Sequence, residues 1–86
     1  METLTECHIC RKWTRCELHH MLHGSMRKLA DEDKLYVMLC PDCHRKLHDY
    51  GLYDKVLQQE AEHMWLSRDP NRTIDDFIKR YGKNFL

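Results

Sequence analysis

The stretch CPDCHRKLHDYG, residues 40–51, contains the strongest indication of how this 86-residue chain folds. Pro41 is favoured as a first helical residue, because the first N–H groups of a helix are unpaired and proline has none to lose. Asp42 suits the positive end of the helix dipole, and Gly51 is a typical helix stop. The stretch therefore predicts a helix from 41 to 50 that carries cysteines at its start and histidines further along.

The cysteines at this helix start belong to a four-cysteine pattern. Cys7-x-x-Cys10 and Cys40-x-x-Cys43 are two C-x2-C pairs separated by 29 residues. Each pair can occupy two corners of a tetrahedron, so the spacing predicts a structural Zn²⁺ site. C-x-x-C also occurs in thiol oxidoreductases, but no βαβ pattern surrounds either pair. Cys16 is interpreted as a small buried side chain, with replacement of Cys10 as a ligand as the alternative.

The histidines of the same helix indicate a second metal site. His44 and His48 are four positions apart, which places them about 40° apart on one face at ~3.6 residues per turn. Cys43 lies roughly 100° from His44, so thiolates and imidazoles project in different directions. The alternative is a pair of histidines that are exposed by chance or packed beside Trp65 or Tyr50.

A histidine doublet lies upstream, in CELHHMLHG, residues 16–24. Neighbouring side chains point to opposite faces of a strand, so His19 and His20 cannot easily share one role. If His19 faces the same metal as His44 and His48, the site has three protein ligands and an open position, as catalytic metals do. His20 would then point past the metal toward solvent, free to act as a general base.

Size and charge exclude several classes of protein. A chain of 86 residues is one domain with a limited core, and such domains often need a metal staple. Basic and acidic residues balance, eight against eight in residues 1–50 and six against six in residues 51–86. Overall charge thus gives no support for nucleic-acid binding. The chain has no long apolar run and no signal-peptide pattern, so we expect no membrane association and a cytoplasmic location.

The remaining sequence predicts short elements around these sites. Residues 1–6 are interpreted as a flexible lead-in, 35–39 as a buried strand, and 23–34 as a loop or short helical turn. A second helix is predicted over 52–67 and a third from the N-cap Thr73 to Gly82. Apolar residues of these helices either pack against the preceding unit or form an oligomer contact: Met64, Trp65, Phe77, Ile78, Tyr81 and Phe85.

Three pieces of the sequence, C-x2-C, ELHHMLHG and LYVMLCPDCHRKLH, together resemble the HNH endonuclease family. The resemblance covers residues 7–50, and the end of the chain, DDFIKRYGKNFL, is more loosely similar to small phage-encoded members. It implies an α+β fold in a single domain, residues 1–86. A zinc-stapled ββα-metal (treble-clef) unit with its zinc knuckle would occupy 7–50, and two helices would form a C-terminal extension at 51–86.

The resemblance also implies a function, namely metal-dependent hydrolysis of DNA phosphodiester bonds by nicking or double-strand cleavage. In the nuclease domain of DNase colicins, the first histidine of the doublet binds metal and the second is the general base. By this correspondence His19, His44 and His48 bind one catalytic divalent metal (Mg²⁺, Mn²⁺, Ni²⁺ or Zn²⁺), and His20 is the base. Two alternatives remain: an inactive HNH-like zinc module that binds DNA or a protein partner, as a phage accessory or regulatory protein, and a structural zinc protein acting through its helical tail.

One family position differs in this chain. The middle asparagine of the family would fall nine residues before His44, where Leu35 stands. In the family this asparagine braces the catalytic loop or binds metal, and leucine can do neither. Asp33, Lys34 and Asn84 are the candidates to replace it.

Basic residues near the proposed cleft are the candidates for phosphate contacts. Arg27 and Lys28 are preferred, because their loop leaves directly from the doublet. The others are Arg45 and Lys46 on the helix and Arg11, Lys12 and Arg15 around the knuckle; solvated surface is the alternative for each. His23 is interpreted as an exposed loop residue, with a metal neighbour or phosphate donor as the alternatives, and His8 and His63 as incidental. A homodimer would make double-strand cleavage easier for so small a nuclease.

Overall fold

A computed structural model describes residues 4–86 of the chain. Its strands form two small antiparallel sheets of two strands each. The first sheet pairs β1 (Leu4–Glu6) with β2 (Trp13–Arg15), and the second pairs β3 (Glu17–His20) with β4 (Tyr36–Leu39). The α-helices are α1 (Arg27–Glu32), α2 (Pro41–Tyr50), α3 (Asp54–Ser67) and α4 (Ile74–Tyr81). The predicted α+β class is confirmed.

The first sheet occupies part of the segment predicted to be a flexible lead-in. That prediction is wrong for Leu4–Glu6, which form β1, and residues 1–3 lie outside the described part of the chain. The turn between β1 and β2 is held by hydrogen bonds from Cys7 N to Lys12 O and from Arg11 N to Cys7 O, both 2.9 Å. Arg11 takes a left-handed conformation with φ 67°. The turn brings Cys7 and Cys10 to one end of the hairpin.

The second sheet sets the two histidines of the doublet apart. His19 pairs with Val37 and His20 with Tyr36 in the antiparallel register. Because side chains alternate across a strand, His19 is buried whereas His20 lies on the other face. The connection from β3 to β4 contains a short 3-10 helix (Gly24–Met26) and α1, where a loop or helical turn was predicted.

Helix α2 follows β4 directly and has the predicted bounds. It begins at Pro41, and the Cys40 sulfur caps it by accepting a hydrogen bond from Cys43 N at 3.4 Å. It ends before Gly51, whose φ of 68° is a left-handed conformation that glycine adopts without a steric penalty. The start of the helix therefore lies at the cysteines, and His44 and His48 follow further along the helix.

The C-terminal helices cover the core. Helix α3 begins two residues later than predicted, at Asp54, and α4 begins after Thr73 with a capping box that Asp76 completes. The Trp65 and Phe77 rings lie 5.6 Å apart in an edge-to-face contact between the two helices. The predicted packing of their apolar residues is found for Trp65, Phe77, Tyr81 and Phe85, which are all buried, while Ile78 is 37% exposed. Among residues 4–86, no helix is both long enough and apolar enough to cross a lipid bilayer.

Candidate metal centres

The four paired cysteines form one cluster. The sulfur atoms of Cys7, Cys10, Cys40 and Cys43 all lie within 4.8 Å of one another. The Cys10 and Cys40 sulfurs are 3.8 Å apart, which is about the separation of two sulfurs in a tetrahedron with Zn–S bonds of ~2.3 Å. The cluster can therefore hold a structural metal ion, as the sequence predicted.

Electrostatics in this cluster favour a bound cation. Burial raises the pKa of the Cys7 thiol, but backbone N–H groups of Cys40, Cys10 and Ile9 outweigh it and lower that pKa to about 6. The pKa of Cys43 is raised by burial and by hydrogen bonds within the cluster, so its thiol resists ionisation. A divalent cation removes this conflict, because it lets neighbouring thiolates coexist. Cys16 is buried outside the cluster, with its thiol directed to Thr5 O at 3.5 Å, which agrees with its predicted packing role.

A second cluster joins the doublet to α2. One ring nitrogen each of His19, His44 and His48 lie within 4.8 Å of one another. The His44 and His48 Nε2 atoms are 3.1 Å apart, and their ring centroids are separated by 4.7 Å. The His19 ring lies 5.3 Å from that of His44 and 6.1 Å from that of His48. The arrangement brings together the three predicted metal ligands from β3 and α2.

His19 is the buried member of this cluster. Its side chain is 4% exposed, and its Nε2 atom has no hydrogen-bond partner among the described residues. An unpaired buried polar atom is costly, so this nitrogen is expected to bind a cation or a water molecule. Burial, reinforced by repulsion from His44, His23 and His48, lowers the pKa of His19 to about 4. The imidazole is therefore neutral at pH 7, as a metal ligand must be.

Glu17 fixes the orientation of the His44 ring. The Nδ1–H of His44 donates to Glu17 Oε1 at 2.8 Å. A neutral His44 bonded in this way carries its lone pair on Nε2, which faces His48. Carboxylates commonly orient metal-ligating histidines by this contact.

His20 has a partner where solvent was expected. Its Nε2–H donates to Asp31 Oδ1 at 3.1 Å, and its side chain is only 15% exposed. The ring packs edge-to-face with Tyr36, its pairing partner in β4. The sequence offered no local signal for Asp31, because α1 brings it back onto β3 from eleven residues away.

His20 and the cluster of His19, His44 and His48 line one cleft, whose volume is about 250 Å³. The lining also includes Arg27 and His23, so five of the seven histidines of the chain contribute to it. Arg27 is the one basic candidate for phosphate contact among the described residues that line this cleft. Lys28 is exposed on α1 beside it.

The other basic candidates lie away from the cleft lining. Arg45 and Lys46 pair with Asp42 at 3.1 and 3.4 Å on the exposed face of α2. Arg11 pairs with Glu6 at 3.2 Å. Lys12 lies beside the cysteine cluster, and Arg15 is exposed on β2.

His23 and His8, which were predicted to be an exposed loop residue and an incidental one, both make specific contacts. The Nε2–H of His23 donates to Asp54 Oδ1 at 2.6 Å, so His23 joins the β3–β4 connection to the first residue of α3. The Nε2–H of His8 donates to Glu60 Oε1 at 2.7 Å. The carboxylate partners are 31 and 52 residues away, which explains why local patterns did not reveal them.

Comparison with known proteins gives no match among protein-family models, curated proteins or solved structures.

Proposed function

We propose that this protein is a metal-dependent DNA endonuclease of the HNH type. The observation that supports this most directly is the buried, unpartnered Nε2 of His19 beside the ring nitrogens of His44 and His48. In this proposal the three histidines hold one divalent cation, and His20 acts as the general base. The zinc-stapled ββα-metal (treble-clef) fold of residues 7–50 is part of the same proposal, supported by the order knuckle, β3, β4 and α2.

The donor set suits a borderline divalent metal. Imidazole nitrogen favours Zn²⁺ or Ni²⁺ over Mg²⁺ and Mn²⁺, which prefer oxygen ligands. Neutral His19 meets the protonation requirement of such a site. Glu17 orients the His44 ring by a hydrogen bond to its Nδ1. When bound, the cation would polarise a phosphodiester and stabilise its leaving oxygen.

His20 is placed to handle the proton of the attacking water. With Nε2–H donating to Asp31, a neutral His20 carries its lone pair on Nδ1 and can accept a proton there. Asp31 would hold the ring orientation and stabilise the imidazolium that forms, as carboxylates bonded to catalytic histidines do. General-base catalysis of this kind contributes about 10²–10⁴-fold in rate.

The missing family asparagine has a structural counterpart in our proposal. Leu35 is fully buried, and its backbone bonds Ala30 O at 2.7 Å and Met21 N at 3.0 Å, which ties the β3–β4 connection together. Asp33 is held by Arg80, so one of the three sequence candidates has a bracing contact. Asn84 bonds the backbone of Leu86 instead. We propose that the core and α4 brace the connection that an asparagine braces in the family.

DNA would approach the cleft over α1. Arg27 lines the cleft and Lys28 is its exposed neighbour, so these two are the proposed phosphate contacts nearest the metal. Residues farther away would contact more distant phosphates: Arg45, Lys46, Arg11, Lys12 and Arg15. A homodimer would place two such clefts on the two strands of one duplex.

A second candidate is a non-cleaving zinc module that binds DNA or a phage or host protein. The observation in its favour is the apolar Leu35, buried where the family has its asparagine. The balanced charge of the chain favours a protein partner over DNA in that case.

Supercoiled-plasmid cleavage tests the proposed activity. The purified chain is assayed with Mg²⁺, Mn²⁺, Ni²⁺ or Zn²⁺, beside His20→Ala and the control His63→Ala on the exposed face of α3. We expect cleavage by the wild type and the control, and a rate at least 100-fold lower for His20→Ala, because the variant lacks the base. His20→Ala should retain divalent-metal binding, whereas His44→Ala should weaken it.

Two outcomes would contradict the proposal. Equal cleavage by the wild type and His20→Ala would remove His20 from the mechanism. No cleavage with any of the four metals, by a folded chain that still holds its zinc, would favour the non-cleaving module.

A further inference from the structure

We infer that His19, His23 and Asp54 form a second cation-binding position beside the proposed catalytic one. One nitrogen of each histidine and a carboxylate oxygen of Asp54 lie within 4.8 Å of one another. This position shares His19 with the first cluster but takes its other ligands from outside α2. It is independent of whether the protein cleaves DNA.

The three groups come from three parts of the fold. His19 lies on β3, His23 precedes the 3-10 helix, and Asp54 is the first residue of α3. The His19 and His23 rings are 5.5 Å apart in an edge-to-face arrangement, and Asp54 Oδ1 is 2.6 Å from His23 Nε2. Tertiary packing therefore brings Asp54 to two histidines that are close to each other in sequence but 31 residues or more away from it.

The buried nitrogen of His19 indicates a bound ligand, and the second position can supply that ligand as well as the first. A hydrogen bond between His23 and Asp54 accounts for those two side chains and would by itself only tether α3 to the β3–β4 connection. It leaves His19 Nε2 without a partner in a side chain that is 4% exposed. A cation bound by all three groups satisfies that nitrogen and uses the negative charge of Asp54.

The ligand set specifies the class of cation. Two imidazoles and one carboxylate form a combination found in zinc sites with an open coordination position. Nitrogen-rich sites of this type select Zn²⁺, Co²⁺ or Ni²⁺ over Mg²⁺ and Ca²⁺. The half-buried Asp54 and His23 also border a shallow cleft with His48, so an ion can reach the position from solvent.

Sharing of His19 makes the two positions competitors. We infer that both positions use Nε2, the unpartnered atom of His19, and one nitrogen cannot bind two ions at once. An ion held by His23 and Asp54 therefore takes His19 from His44 and His48. This consequence rests on the proposed function: excess Zn²⁺ should inhibit cleavage, and Asp54→Asn should relieve the inhibition.

The test removes the first cluster and measures what remains. The double variant His44→Ala/His48→Ala, with its cysteine site loaded with Zn²⁺, is titrated with Co²⁺ by calorimetry and visible absorption. We expect one further Co²⁺ per chain, without the thiolate charge-transfer bands that exchange into the cysteine site would produce. Adding Asp54→Asn should weaken this binding at least tenfold, because the anionic ligand is lost.

A matched control separates the ligand from a general loss of charge. Asp75→Asn also removes an exposed carboxylate from the first turn of a helix, so it should leave Co²⁺ affinity within twofold. His23→Gln tests the same position if Asp54→Asn does not fold, as judged by circular dichroism. The inference is overturned if the double variant binds no further Co²⁺, or if affinity is unchanged in the folded Asp54→Asn or His23→Gln form.

The result is separable from the nuclease assay. Binding that depends on Asp54, in a protein whose wild type cleaves no plasmid, would support the second position and reject the proposed function. Cleavage by the wild type, with no Co²⁺ bound by the double variant, would do the reverse.

Discussion

At His19, burial and repulsion from three neighbouring imidazoles both disfavour the protonated form of the ring. They lower its pKa to about 4, from an ordinary value near 6.5. The folded chain therefore binds fewer protons at this site than the unfolded chain between these two values. Folding stability must rise with pH across that window and fall as the pH drops from about 6.5 toward 4.

This pH dependence is the prediction at the scale of a residue. His19→Gln should flatten the loss of unfolding free energy between pH 6.5 and 4, by up to roughly 3 kcal/mol at ~1.4 kcal/mol per pKa unit. The measurement is urea denaturation at several pH values, with no added divalent metal that could bind the histidine cluster. His63→Gln on the exposed face of α3 is the control. Loss of zinc from the cysteines at low pH lowers the stability of every variant alike, so it cancels when variants are compared. Parallel curves for wild type and His19→Gln would show that His19 is not the group responsible.

At the scale of elements, α4 is joined to the turn that precedes β4. Arg80 donates to both carboxylate oxygens of Asp33, Nε to Oδ2 at 2.6 Å and Nη2 to Oδ1 at 2.9 Å, and the Tyr81 hydroxyl donates to Oδ2. Burial opposes ionisation of Asp33, but these donors lower its pKa below the ordinary value. Arg68 adds a bond to Lys34 O at 3.3 Å. The C-terminal extension thus holds the segment that also carries Asp31, the partner of His20.

Asp33→Ala should therefore destabilise the fold as well as this local contact. We expect a loss of roughly 2 kcal/mol of unfolding free energy, since charge-assisted hydrogen bonds are lost and Tyr81 keeps a polar group without its partner. Urea denaturation at pH 7 measures it. The control Asp75→Asn removes an exposed carboxylate from the first turn of α4 and should change stability by less than about 0.5 kcal/mol. Equal effects of the two substitutions would mean that the Asp33 contacts contribute nothing.

At the scale of the whole molecule, the four-cysteine cluster joins the β1–β2 turn to the start of α2. A hydrogen bond from His8 N to Met38 O at 2.9 Å also joins this turn to β4, but an 86-residue chain has only a small core. Metal binding to such a cluster is therefore coupled to folding of the chain.

Zinc removal should unfold the protein. A strong chelator, or Cys43→Ser, should abolish the thermal transition and most of the helical circular-dichroism signal, because three remaining thiols cannot close the site. Cys16→Ala is the control, since Cys16 is a buried cysteine that lies outside the cluster. It should keep its zinc and its cooperative transition. A chelated wild type that melts at an unchanged temperature would contradict a structural role for the metal.

The sequence by itself determined the features that depend on neighbouring residues and on fixed spacings. The bounds of α2 follow from Pro41 and Gly51, and those of α4 from Thr73 and Gly82. Paired C-x2-C spacings identified the cysteine cluster, because two residues on one turn can chelate one ion without knowledge of the rest of the fold. The opposite placement of His19 and His20 follows from strand alternation alone.

Only the tertiary structure decided which distant groups are partners. The pairs His20–Asp31, His23–Asp54 and Asp33–Arg80 are separated by 11, 31 and 47 residues. A short-range pattern cannot indicate these pairs, because the residues next to a carboxylate do not show which distant side chain the fold will bring to it. The strand at Leu4–Glu6 escaped prediction for the same reason, because its three residues become a strand only through pairing with β2. Local sequence indicated the candidate metal ligands, and long-range packing specified which carboxylates surround them.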